Sequence, residues 1–153
     1  MILMDNRFYT STEAAEITNC SRRQLQYWRD KAIIVPTVNA FGKGRNVYYS
    51  KADLFELMVM GHLLSRGLSF EVCNLALDVL REREPWLFKL YLEEDKLKRM
   101  MLLLTGLPKY PLKVLEFDSQ MALQALSEGY IVVPFWCDRL HQQLKDNLKA
   151  FTG

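Results

Sequence analysis

Residues 10–31 read TSTEAAEITNCSRRQLQYWRDK, and the spacing inside this stretch decides the architecture of the N-terminal half. Thr10 precedes Glu13, and Ser21 precedes Gln24, by three positions each. Each pair is a capping box: the hydroxyl accepts from the amide three residues on, and the longer side chain accepts from the cap's own amide. Two boxes so close together predict two short helices joined by a tight turn. The first uses Ala14, Ala15 and Ile17 as its apolar positions and ends near Asn19; the second runs to about Lys31. At about 100° per residue, Ser21, Leu25, Trp28 and Ala32 share one side of the second helix. Arg23, Gln26, Tyr27 and Asp30 lie opposite, with Arg22 and Arg29 flanking.

Outward from this pair, the β-branched run Ile33–Val38 and the segment Val47–Ser50 are expected to be strands around a Gly-rich basic turn, a hairpin. Ser50 or Asp53 caps a third helix carrying Leu54, Leu57, Met58, Gly61 and Leu64, closed by Gly67. Ser69 caps a fourth through Val72, Leu75, Ala76, Val79 and Leu80, which Pro85 stops. Residues 86–97 read as another amphipathic helix. Beyond Lys98 the pattern changes to strands at 99–105, 112–117 and 130–134, a helix capped by Asp118 with Gly129 as its stop, and a closing helix over 138–151. The expected fold class is therefore α+β: a helical N-terminal domain over 1–84 and a small ββαβα domain over 85–153.

The chain has 153 residues, half of them hydrophobic and a quarter charged, which excludes a disordered tail or a fibrous repeat. Three widely spaced cysteines without a CxxC imply neither a disulfide framework nor a structural zinc site. The start MILMDNR lacks a secretory n-region, and the longest apolar runs are far shorter than a membrane span, so a soluble cytoplasmic protein with no membrane partner is expected.

The net charge of +2 conceals an asymmetry. Between Cys20 and Lys51 seven basic residues face one acid, so this segment carries +6 and the rest of the chain −4. A localised phosphate-facing surface has this signature. The polar face of the second helix offers the groups that major-groove recognition uses: Arg22 and Arg23 for guanine or phosphate, Gln26 for adenine, and Tyr27 for a phosphate. In the hairpin turn Gly42-Lys43-Gly44-Arg45, Lys43 and Arg45 are placed to neutralise phosphate or enter a minor groove. Trp28 shares the phase of Leu25 and is assigned to the core.

Five blocks resemble the winged-helix DNA-binding domain of the MerR family: YTSTEAAE from Tyr9, CSRRQLQYWRD from Cys20, IIVP from Ile33, VYYSKADL from Val47 and RGLSF from Arg66. The resemblance spans roughly residues 8–83. It implies that Ser21–Asp30 is the recognition helix, that residues 34–50 form the wing, and that the protein binds double-stranded operator DNA as a homodimer. It further implies a transcriptional regulator that distorts promoter DNA and meets RNA polymerase only through that DNA. Where the family usually has Arg, two residues before the wing's final Tyr, this chain has Val47, so Arg45 is expected to take over the contact. LLLTG from Leu102, VLEFDS from Val114 and ALQALSEG from Ala122 are similar to the C-terminal domain of a subgroup of actinobacterial MerR-like regulators. Many relatives dimerise through a long helix after the fourth; here Pro85 interrupts, and residues 86–153 are expected to supply that contact.

Other chemistries have little support. Cys137 and His141 stand four apart on one helix but have no further ligands nearby, so they are assigned structural roles and no metal or cofactor is expected. His62 reads as a surface or half-buried residue. No nucleophile–base pair or phosphate loop emerges, so enzyme activity is not expected. Two alternatives stay open: an architectural factor of the excisionase type, and a ligand-sensing or interaction module. The latter would line a pocket with Phe88, Tyr91, Phe117, Tyr130, Phe135 and Trp136 and take an effector of unknown identity.

Overall fold

A computed structural model describes residues 7–39, 47–88 and 97–152. The chain groups by contacts into two compact units, Met1–Gly61 together with Gln143–Gly153, and His62–Gln142.

In the first unit, α1 (Ser11–Thr18) and α2 (Arg22–Asp30) both start from complete capping boxes. Asn19 adopts the left-handed conformation that ends α1 (φ 60°), one that Asn tolerates better than most residues. Cys20 then buries its thiol against α3 (Lys51–Ser65), donating to the Leu57 carbonyl at 3.5 Å. Ser50 caps α3 and Asp53 returns the bond, so both candidates take part. Ile33 and Ile34 are buried but not in a strand. Their amides fold back onto the Trp28 carbonyl at 2.8 and 3.3 Å, after Ala32 turns the chain at φ 56°. Ala32 is thus exposed and outside the helix rather than part of its apolar stripe. The expected strand contracts to β1 (Val38–Asn39), antiparallel to β2 (Val47–Tyr48). Helix-end hydrogen bonds and Pro36, which has no N–H to give a ladder, override the β-branched propensity. Tyr49, next after β2, forms a separate antiparallel bridge with Tyr9.

The last turns of α6 (Cys137–Thr152) also belong to the first unit. Asn147 donates to the Ile17 carbonyl at 2.8 Å, satisfying an acceptor in the last turn of α1. Phe151 meets Tyr9 edge-on at 6.4 Å, and the Arg7 guanidinium lies 5.0 and 5.7 Å from the two ring centroids.

The second unit is built on β3 (Arg99–Leu104), flanked by β4 (Leu112–Glu116) and β5 (Ile131–Trp136) in the order β4-β3-β5, all antiparallel. β3 is central and buried on both faces, so it reads MMLLL with no alternation. Pro134 sits on an edge strand, where a residue without an N–H is accommodated. On one face Met101 and Leu103 pack with Ala122 and Ala125 of α5 (Ser119–Ser127). α4 (Phe70–Arg83), capped by Ser69, packs against β4 and ends before a short 3-10 turn over Pro85–Phe88. That turn replaces the start of the helix expected from residue 86, and residues 89–96 lie outside those described.

Among the described residues, the aromatics proposed to share a pocket do not all face one space. Tyr91 lies outside the described residues. Phe135 and Trp136 are consecutive on β5 and so point to opposite faces. Phe135 is fully buried, Trp136 stacks edge-on with Phe117 at 4.9 Å, and Tyr130 packs with the α5 cluster. Cys137 and His141 each turn to a backbone carbonyl: the thiol to Phe135, and His141 Nε2 to Leu87 at 2.8 Å. Burial pushes the Cys137 thiol well above its usual range.

His62 is half-buried, with its ring edge-on to Phe135 at 6.0 Å. Burial, and then the nearby Arg66, pull its imidazole below the ordinary histidine range, against an opposing backbone bond at Pro134. The unfolded chain therefore takes up this proton at higher pH than the folded one. The His62 contribution to stability is full above about pH 6.5 and is lost as pH falls through the folded value. Thermal melts at about pH 7.5 and 5.5 should show a lower Tm in acid, and His62→Gln should narrow the difference.

Candidate nucleic-acid interface

The capping box at Ser21 fixes where α2 begins, and with it the rotational phase of every later side chain. Gln24 donates its amide to Ser21 Oγ at 3.0 Å, and Ser21 donates to Gln24 Oε1 at 2.9 Å. In that phase Leu25 and Trp28 are each only 2% exposed. Arg22, Arg23, Gln26 and Tyr27 all stand on the exposed side, Tyr27 with 45% of its surface open. The four α2 residues singled out from sequence are thus brought together on one solvent-facing surface. Lys43 and Arg45 lie outside the described residues.

Side-chain bonds within this surface restrict what each group offers. Gln26 Nε2 donates to the Asp30 carboxylate at 3.1 and 3.3 Å, one helical turn on. That contact can be made through one of the two N–H groups of Gln26, which leaves the other, with Oε1, for an adenine. The Lys31 ammonium lies 5.9 Å from the Tyr27 ring centroid, keeping a cation at the C-terminal end of the surface. Arg22 and Arg23 make no side-chain hydrogen bond or ion pair with the described residues, which leaves two guanidinium forks presented near the start of the helix. The free amides there add a partial positive charge, so anions are favoured at this end.

The supports beneath this surface were not all legible in the sequence. Asp53 is buried, and its Oδ2 accepts from the Thr37 amide and hydroxyl, both at 2.7 Å, and from the Ser50 amide at 2.9 Å. One carboxylate oxygen thereby ties the chain entering the β1–β2 ladder to the chain leaving it. The Ser50–Asp53 half has a three-residue signature; Thr37 is sixteen positions from Asp53 and has none. Arg29 Nε donates to Asn39 Oδ1 at 2.7 Å, joining α2 to β1. Buried Tyr49 has its phenol held above the usual range by burial, with Arg29 opposing and Asp53 adding to the shift. Val47 is buried in the same phase as Tyr49, so its side chain points inward.

Residues 9–79 match the family described as MerR HTH family regulatory protein. Among curated proteins, the chain is similar to the uncharacterized HTH-type transcriptional regulators Mb1861 of Mycobacterium bovis and Rv1830 of Mycobacterium tuberculosis. Each is 34% identical over 76 residues, which is 49% of this chain and 34% of the relative. The matched stretch is thus about a third of the length of these relatives. The family match over residues 9–79 covers α1, α2, the β1–β2 pairing, α3 and most of α4.

Proposed function

We propose, from the match of residues 9–79 to the MerR HTH family, that the chain is a sequence-specific transcriptional regulator that acts as a homodimer on a pseudo-palindromic operator. The observation that carries this reading is the division of α2: Leu25 and Trp28 buried, and Arg22, Arg23, Gln26 and Tyr27 together in solvent. A helix with that division can enter a major groove without exposing its apolar side. In this reading Arg22, Arg23, Gln26 and Tyr27 contact bases and phosphates, and Lys43 and Arg45 neutralise phosphates beside them. Residues 1–84 form the DNA-reading part and residues 85–153 supply the dimer contact. The protein works by binding rather than catalysis. No described helix is long and apolar enough to cross a membrane, and action on DNA places the protein in the cytoplasm.

Selection of bound sequences from random duplexes tests this directly. A two-fold symmetric motif is the expected result; absence of any enriched motif would overturn the reading. With the selected site in hand, Arg23→Ala is expected to cost about 1–3 kcal/mol of binding, roughly a 5- to 150-fold rise in Kd, with relaxed preference at one base pair per half-site. If all six excess charges met phosphate, the log–log salt slope would reach roughly −5 per subunit. Weak binding that is insensitive to both salt and Arg23→Ala would refute the assignment of α2.

A further inference from the structure

In the antiparallel sheet β4-β3-β5, Leu104 stands opposite both Leu112 and Ile131, so the β3–β4 loop and the start of β5 lie at one end. α5 begins beyond Glu116, at the opposite end, and returns the chain to Ile131. Its C-terminal half therefore shares the loop end, where the Tyr130 amide donates back to the Ala125 carbonyl at 3.0 Å. Large apolar side chains collect there. Leu107, Tyr110, Leu123, Leu126 and Ile131 are each at least half exposed, up to 69% at Leu123. From α5, Ala122 and Ala125 pack on the sheet, so the helix turns small side chains inward and leaves both leucines in water. A helix patterned only for its own core would do the reverse. The loop is held by its own bonds. Thr105 Oγ1 accepts from the Leu107 amide at 3.1 Å and donates to the Tyr110 carbonyl, and the Thr105 amide donates to the Pro111 carbonyl at 3.1 Å. The backbone that carries Leu107 and Tyr110 is thus ordered before anything docks, which lowers the cost of association.

We propose that this loop end of the sheet is the surface on which two copies of the chain meet across a two-fold axis. The assignment rests on the homodimer reading given above and names the surface which that reading leaves open. A two-fold interface sets one surface against itself, so the surface has to be self-complementary. The loop 105–111 and the stretch 123–131 carry one cation, Lys109, and one anion, Glu128, both exposed. Lys109 makes no side-chain hydrogen bond or ion pair with the described residues. Glu128 accepts from Gln124 Nε2 through Oε1 at 3.1 Å, which leaves Oε2 for a further donor. The two segments are neutral together and can face their own copy without repulsion. A two-fold axis then offers Lys109 of each copy the Glu128 carboxylate of the other. The area also suits a second copy. Five large side chains at least half open present roughly 500 Å² of apolar surface, about the apolar share of the ~800 Å² per partner in a standard interface. Scattered single leucines would carry no such weight.

Sedimentation of the full chain over a concentration series, free and on the selected operator, is the test. The wild-type chain is expected to be a dimer. Leu123→Glu changes an exposed residue on both sides of the axis and is expected to weaken the dimer by roughly a hundredfold, with the circular dichroism of the folded chain unchanged. An exchange of charges gives a second readout that folding does not move. Lys109→Glu and Glu128→Lys, each alone, place like charges opposite one another twice and are expected to weaken the dimer by about tenfold. Combined in one chain, they restore it to within about threefold of wild type. A dimer untouched by Leu123→Glu, or single exchanges that the combination does not repair, overturns this surface and leaves the homodimer reading standing. A wild-type chain that is monomeric both free and on DNA removes both.

Discussion

Trp28→Ala is expected to destabilise the chain by about 3–5 kcal/mol, the range for truncating a buried large aromatic. Trp28 is 2% exposed and lies on the inward side of α2 beside Leu25. The replacement removes most of an indole from a close-packed region, and the neighbours relax only partly into the space. Its own carbonyl receives both the Ile33 and Ile34 amides, so the residue also anchors the segment that leads to β1. Since domains are stable by only about 5–15 kcal/mol, this is a large fraction of the total. Urea denaturation should show a much lower midpoint at an unchanged slope. The DNA binding proposed above should fall along with the folded fraction. Trp28→Phe keeps most of the volume and should recover the greater part of both. Wild-type stability in Trp28→Ala would mean that the indole is not a core element.

Asp53→Ala ranks second, at about 2–4 kcal/mol. Three donors converge on one oxygen of this buried carboxylate, and removing it leaves the Thr37 and Ser50 amides without their acceptor. Each hydrogen bond to a charged group contributes about 1.5–3 kcal/mol, with less than full additivity because the three share one partner and because water can reach the exposed Thr37. The same substitution withdraws a negative charge from the N-terminus of α3, where the helix dipole favours it. Asp53→Asn retains an acceptor oxygen at the same place and should cost markedly less. Equal losses for Ala and Asn would assign the effect to charge alone; no loss for either would show that the cluster does not hold the ladder. The measurement is again the urea midpoint, with proteolysis near residues 37–50 reporting local release.

Much of the site was legible in the sequence because its determinants are local. The two capping boxes are three-residue patterns, and a cap fixes both the start of a helix and the phase of the side chains after it. From Ser21 onward that phase separates Leu25 and Trp28 from Arg23, Gln26 and Tyr27 without any tertiary information. Asp118, Ser69 and the glycine stops work in the same way, which is why the expected ends of α4 and α5 agree closely with the structure. The apolar run at 99–105 was recognisable as a strand for a related reason: it is too short and too continuous for an amphipathic helix.

What failed, failed where a distant partner outweighs a local preference. Ile33–Val38 is β-branched and reads as a strand, but the Trp28 carbonyl captures its first amides and Pro36 interrupts its ladder. Phe135 and Trp136 looked like parts of one aromatic pocket, yet adjacency on a strand places them on opposite faces. The bonds from Arg29 to Asn39 and from Asp53 to Thr37 have no recurrent spacing, so no window of sequence announces them.

The sequence by itself determined the helix starts, the buried and exposed sides of α2, the concentration of positive charge between Cys20 and Lys51, and the strand and helix order of the C-terminal half. These features come from hydrogen bonds and periodicities that close within a few residues. Only the tertiary structure decided the strand order β4-β3-β5, the clasp of Asp53 and Arg29 on the β1–β2 base, and the joining of the last turns of α6 to α1 through Asn147 and the Ile17 carbonyl. Those contacts link residues up to 130 positions apart. Each depends on which surfaces remain to be covered after the local elements have formed, and that is a property of the packed chain rather than of any segment of it.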